Sequence, residues 1–168
     1  MDIWNELHHL FDEDDGSLPD IFVEGISAEE SVEIYSWVLS LTKPYGEPCL
    51  WSIEEERDIR ITDIPNPALY YTQGKAESFR HGLEKFSFSE VEIPQLSICI
   101  GESSVEFDYR MGKEWGSKEL LALFEFLYRI KCIAPKAKIV QAYEGGYDNP
   151  NQEFSNVFEA YANEYSNS

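Results

Sequence analysis

From Leu96 to Tyr109 the chain alternates apolar and polar residues in two runs separated by a turn. Leu96, Ile98 and Ile100 mark one side of the first run; in the second, Val105, Phe107 and Tyr109 alternate with Glu106, Asp108 and Arg110, across Gly101-Glu102-Ser103-Ser104. Period two predicts a half-buried hairpin. Residues 118–133 then change to helical spacing. Leu120, Leu121, Phe124, Leu127, Tyr128 and Ile130 give a wide apolar stripe, leaving Lys118, Glu125 and Arg129 wet, with Ser117 as the expected cap and Pro135 as the stop. A two-faced hairpin followed by so broad a helical face must bury one against the other, which points to an α+β class.

The rest of the chain extends this pattern. Residues 20–26 alternate Ile21 and Val23 against Phe22 and Glu24, and Ser27-Ala28-Glu29-Glu30 is a capping box opening a helix striped by Val32, Tyr35, Val38, Leu39 and Leu41. Pro44 and Gly46 end that helix, and residues 138–143 predict a further strand. The strong elements run strand, helix, strand, strand, helix, strand, the order of a ferredoxin-like split βαβ core with a mostly antiparallel sheet and helices on one face. Residues 43–94 interrupt it as an insertion within a single domain spanning residues 1–168. The insertion predicts a hairpin of its own, with Cys49, Trp51 and Ile53 on one arm, Ile59 and Ile61 on the other, and Glu54-Glu55-Glu56 at the tip. Phe86, Phe88, Val91 and Ile93 predict one more strand, with a bulge or turn near Glu90. Short helices are expected from Ile3 to Phe11 and after Asn149-Pro150, the latter bearing Phe154, Val157, Phe158 and Tyr161, before a frayed tail at 163–168.

Charge is distributed unevenly along this framework. The net charge is -19, and no Lys or Arg precedes Lys43 or follows Lys138, whereas eleven acids stand before the first and five after the second. Such a surface attracts cationic partners and repels nucleic acid and anionic membranes. The amino terminus has neither a basic stretch nor an apolar run, and no segment approaches the roughly 20 apolar residues of a membrane span. The expected location is the cytoplasm.

Motifs for chemistry are absent. No nucleophile-elbow, zinc-protease, phosphate-loop or dinucleotide pattern occurs, so no catalytic residue, cofactor or metal is expected and the chain is not read as an enzyme. His8, His9, Asp12 and Asp14 are ligand types in one stretch, but adjacent helical histidines point about 100° apart and the acids lack calcium-loop spacing. His81 has no exposed cysteine as an expected partner, because Cys49, Cys99 and Cys132 each sit in an apolar run and are expected to be buried free thiols.

The remaining candidates are contact residues. Asp12, Glu13, Asp14 and Asp15 form one acidic run and Glu54, Glu55, Glu56 and Asp58 another, with Trp51, Tyr70 and Tyr71 close by in sequence. Carboxylates beside exposed aromatics suit a partner rich in Lys and Arg, whereas a solvated helix end and a charged hairpin tip account for the same residues without a partner.

The stretch Asp108-Tyr-Arg-Met-Gly-Lys-Glu-Trp115, leading through Ser117 and Leu120-Leu-Ala-Leu-Phe-Glu-Phe-Leu-Tyr-Arg-Ile to Ala134-Pro-Lys-Ala-Lys-Ile139, resembles small bacterial immunity proteins of polymorphic or contact-dependent inhibition toxin systems. The resemblance covers about the C-terminal half and implies an antitoxin that binds a cognate toxin protein. Many such toxins are basic nucleases, which agrees with the acidic charge. A DNA mimic, which needs long regular carboxylate rows, and an enzyme without a recognisable motif are the rival readings.

Overall fold

The computed structural model describes residues 2–166, and a six-stranded sheet organises them. In chain order the elements are α1 (Ile3–Leu7), β1 (Asp20–Glu24), α2 (Ala28–Leu41), β2 (Lys43–Pro44), β3 (Cys49–Ser52), β4 (Arg57–Arg60), α3 (Pro67–Thr72), β5 (Phe79–Glu84), β6 (Ser87–Phe88), β7 (Val91–Glu92), β8 (Leu96–Ile100), β9 (Ser104–Tyr109), α4 (Ser117–Ile133), β10 (Lys138–Ala142) and α5 (Gln152–Ser166). The sheet order is β10-β1-β9-β8-β5-β2, with every neighbour antiparallel. The four strands expected from alternation stand side by side. Each helical crossover, β1 to β8 and β9 to β10, skips one strand that the other crossover supplies. The insertion departs from expectation: its β5 and β2 extend this same sheet, while β3 and β4 pair separately as a ribbon.

Register separates two faces. Ile21 stands opposite Phe107, Val23 opposite Val105, Ile98 opposite Phe107 and Leu96 opposite Tyr109, and all of these are buried. Against them α4 lays Leu120, Leu123, Phe126, Leu127 and Ile130. Phe126 meets Phe107 edge-on at 5.3 Å and stacks on Trp37 of α2 at 5.4 Å, so one ring ties two helices to the sheet. Truncating a buried ring in such a position costs about 3–5 kcal/mol. Phe154, Phe158 and Tyr161 of α5 surround Phe124, and Phe11, just after α1, stacks on Tyr109 at 4.7 Å. Thus α1, α2, α4 and α5 share one side. The buried Tyr109 hydroxyl donates to the Leu10 carbonyl at 2.9 Å and accepts from Gln141 Nε2 at 3.0 Å, which meets the cost of burying the hydroxyl.

Several local expectations hold and several shift. Ser27 forms the capping box, its Oγ accepting from Glu30 N at 3.1 Å while its own N donates to Glu30 Oε2 at 2.8 Å. The helix buries Ser31, Ile34, Tyr35 and Val38, an i, i+3, i+4, i+7 set, and Leu41, its last residue, is exposed. Ser117 is the first residue of α4 rather than its cap; Gly116 holds the cap position without a side-chain bond. Leu121, expected inside, is exposed because it falls outside the stripe of 120, 123, 124, 127 and 130. The first helix is shorter than expected, a five-residue α1 followed by one 3₁₀ turn, His8–Leu10.

The Asn151 side chain opens α5 by accepting from Glu153 N and Phe154 N, a role expected two residues earlier. This helix continues to Ser166, with Tyr165 5.0 Å from Tyr128 between ring centroids, past the fraying expected from 163. Residues 167 and 168 lie outside the described residues. The phase change near Glu90 is a turn: Ser89 and Glu90 both have positive φ and join β6 to β7. All three cysteines are free thiols, yet Cys49 and Cys132 are exposed and Cys99 is half-buried, contrary to their apolar sequence contexts. On β3 it is Leu50 and Ser52 that turn inward, and Cys132 lies off the buried stripe of α4.

Candidate partner-binding surface

No helix among the described residues covers the other face of the sheet. Register places Asp20, Phe22 and Glu24 of β1 on that face with Ser104, Glu106 and Asp108 of β9, Ser97 and Cys99 of β8, and Arg80 and Gly82 of β5. β8 offers only small side chains there, so Arg80 can reach across it. Its guanidinium donates to Asp108 Oδ2, and it lies 3.4 Å from Glu106 Oε2 and 3.6 Å from Asp20 Oδ1. One cation therefore serves three carboxylates. Asp108 is 7% exposed and is held by this charge-assisted bond. Burial raises the Asp20 carboxyl above its ordinary value; Arg80 opposes that shift and Glu106 reinforces it.

Aromatic residues rim the open face. Tyr147 meets Phe22 edge-on at 4.8 Å and donates from its hydroxyl to Glu24 Oε2 at 3.0 Å, a bond that pushes the phenol pKa up. It remains 54% exposed and Tyr45 67%, whereas Tyr143 follows β10 in phase with the inward-facing Ile139 and Gln141. Gly82 packs closely beside Tyr45: a Cβ on it would stand 3.3 Å from the Tyr45 Cβ.

The first acidic run borders this face. Asp12 pairs with His8 Nδ1 at 2.9 Å, Glu13 is exposed, and Asp14 accepts from Arg110 Nη2 at 3.1 Å and from Gly16 N at 2.9 Å. Asp15 accepts from the Ser17 hydroxyl at 2.6 Å. The Gly16 amide and then Arg110 lower the Asp14 carboxyl, and Ser17 lowers that of Asp15. Asp14, Ser17, Leu18, Ser97, Asp108 and Arg110 line a depression of about 350 Å³ at this end of the sheet.

The second run is elsewhere. On the β3–β4 ribbon, Trp51 stands opposite Asp58 and is 43% exposed, with Cys49 and Ile53 also facing outward. Glu54 pairs with Lys75 at 3.6 Å and accepts from the Tyr70 hydroxyl at 3.3 Å, Glu55 binds Arg57, and Glu56 occupies the tip at φ 52°. Tyr70 and Tyr71 are half-buried, the former beneath Lys75 and the latter edge-on to Phe79 at 6.4 Å. Phe79 stands opposite Ile100, at one end of β8, while Asp14 and Arg110 adjoin the other end. Five strand residues separate them by about 14 Å.

The two acidic runs therefore do not form one patch, and between them lie Asp20, Arg80, Glu106 and Asp108, which sequence reasoning did not single out. The alternation that predicted the hairpin already placed Glu106 and Asp108 opposite Phe107 and Tyr109. The matching alternation of Phe79, His81 and Leu83 with Arg80 and Gly82 held the missing strand.

His81 points the other way, into the core. It is 4% exposed, with Nε2 2.9 Å from the Tyr35 hydroxyl and Nδ1 3.0 Å from the Gly82 carbonyl, and burial lowers its pKa. His9 lies 3.4 Å from Glu153 while its neighbour His8 binds Asp12, so the two diverge. Among the described residues no three His, Cys, Asp or Glu side chains gather as a metal site, and no helix is long and apolar enough to cross a membrane.

No known family's sequence profile matches this chain, and no curated protein matches it. The solved structures do give a match. Over 78% of this chain and 88% of the other, it superposes at a TM-score of 0.53 and 13% identity on a chain of the 1.75 Å crystal structure of the toxic C-terminal tip of CdiA from Pseudomonas aeruginosa in complex with its immune protein. The likeness is one of fold. A second match, to a Pseudomonas aeruginosa T6SS protein, is looser, with a TM-score of 0.36 and 11% identity over 85% of this chain and half of the other. The resemblance to immunity proteins carried by residues 108–139 thus recurs as a likeness of fold to a chain from a toxin and immune-protein complex.

Proposed function

We propose that this chain is the immunity protein of a contact-dependent or related polymorphic toxin system, residing in the cytoplasm and neutralising one cognate toxin by binding it. The observation that carries this reading is the fold match over most of both chains to a structure of a toxin with its immune protein. The open face supports a cationic partner, because its carboxylates outnumber the guanidinium among them. Binding alone is the function, without catalysis. A mimic of duplex DNA is less well supported: it needs regular carboxylate rows about one charge per 1.7 Å of axis, and here Arg80 and Arg110 interrupt them.

The test is to look beside this chain's gene for a large toxin gene and to co-express this chain with that toxin's C-terminal tip; the absence of such a gene counts against the reading. A stoichiometric complex and restored growth are expected. Purification of the two proteins apart, with no rescue of growth, overturns the reading.

A further inference from the structure

We propose that the partner docks on the open face of the sheet and inserts an Arg or Lys side chain into the depression between Arg80 and Arg110, against Asp108 and Asp14. The proposal rests on the reading of the chain as an immunity protein and names the surface that reading leaves open. Charge complementarity selects the occupant. Asp20, Glu24, Glu106, Asp108 and, at one end, Asp14 share the face with Arg80, Arg110 and, at its edge, Lys138. The local balance is therefore anionic, with Glu144 added at the rim, where its Oε2 accepts from Leu18 N at 3.0 Å.

The depression has the shape for such an insertion. Its floor includes Ser97, a side chain too small to fill it, and its walls carry Asp108 and Asp14, each of which already accepts from an arginine on its own side. A carboxylate has lone pairs for more than one donor, so a guanidinium entering between them can be shared without displacing either arginine. Tyr147, about half exposed and bonded to Glu24 at the rim, supplies the aromatic component that interfaces favour next to cations. The rival surface is less suited. On the ribbon, Glu54 and Glu55 are about half exposed, where water screens an ion pair, whereas the Asp108 side chain is 10% exposed, and Tyr70 is half-buried.

Three native thiols report on three surfaces and make the test possible with unmodified protein. Cys99 lies on the open face, Cys49 on the outer side of the ribbon, and Cys132 on α4, beyond the covered side of the sheet. Iodoacetamide labelling, followed site by site by mass spectrometry at pH 8.5, is compared for the free protein and for its complex with the adjacent toxin's C-terminal tip. The expected result is a slowing of at least about tenfold at Cys99 with Cys132 unchanged. Unchanged labelling of Cys99 in a saturated complex, or protection of Cys49 alone, overturns the docking surface while leaving the immunity reading intact. Failure to form any complex removes that reading instead. A second measurement uses Glu106→Lys, checked for native circular dichroism: dissociation at least about tenfold faster supports the surface, and wild-type dissociation from a folded variant overturns it.

Discussion

Arg80 spans carboxylates from two strands, so its removal would leave Asp20, Glu106 and Asp108 to repel one another across a partly desolvated face. Fully exposed pairs contribute about 0.2–1 kcal/mol and broken buried pairs about 3–5 kcal/mol. With Arg80 42% exposed at its side chain and Asp108 10%, Arg80→Met should cost roughly 1–3 kcal/mol at pH 7. The sign with pH distinguishes this from lost packing. Without the guanidinium the Asp20 carboxyl, already raised by burial, loses the charge that holds it down, so the native state takes up a proton earlier than the unfolded chain. The gap to wild type, read from urea midpoints, should therefore narrow as pH falls from 7 towards 4.5; a constant gap would assign the loss to packing.

His81 gives the opposite slope. Its folded pKa lies below the unfolded value, so the stability tied to its neutral form is fully present above about pH 6.5 and declines as pH falls through that value. His81→Gln should flatten the decline of urea stability between pH 7.5 and 5.5. An unchanged slope would place the titration elsewhere.

Among the elements, those with strong periodicity were legible and those with weak or inverted periodicity were not. The β8–β9 hairpin and α4 follow from alternation and stripe. β5 was missed because His81 and Arg80 disguise a strand whose inward histidine is satisfied by Tyr35 and the Gly82 carbonyl. The ribbon pairs as expected, but the face chosen by hydrophobicity is outside: Ser52 turns in because Tyr70 lies 2.7 Å from its hydroxyl and Glu55 N donates to it, and this leaves Trp51 in solvent. These contacts also predict how the ribbon behaves. Since Glu54 and Glu55 are paired within the ribbon region, Glu54→Lys with Glu55→Lys and Glu56→Lys should act on a partner at the open face through the long-range field alone. Stopped-flow should then show association slowed about two- to tenfold at low salt, with dissociation nearly unchanged. Faster dissociation would make the ribbon a direct contact.

Across the whole molecule, the fold brings together what the sequence keeps apart. The acidic first and last segments are separated by more than a hundred residues, yet α1 packs against α5, His9 approaches Glu153, and Leu18 N binds Glu144. Neither segment contains Lys or Arg, so their charges reinforce one another where α1 meets α5 on the helical side and, through Glu144, at the rim of the open face. Composition gave the sign and size of the net charge, but the meeting of the two acidic segments depends on tertiary contacts that no local pattern encodes.

Such a field acts at distances beyond contact and is screened over about 10 Å at 0.1 M salt, so it governs how fast a cationic toxin arrives more than how long it stays. Raising NaCl from 20 to 500 mM should lower the association rate constant by about tenfold or more, from a steered value that can reach about 10⁸ M⁻¹s⁻¹. The dissociation rate should change far less, because Asp108 and its neighbours are partly shielded from mobile ions. An association rate insensitive to salt would mean that the -19 charge plays no part in recognition, and that the partner is not cationic where it meets this face.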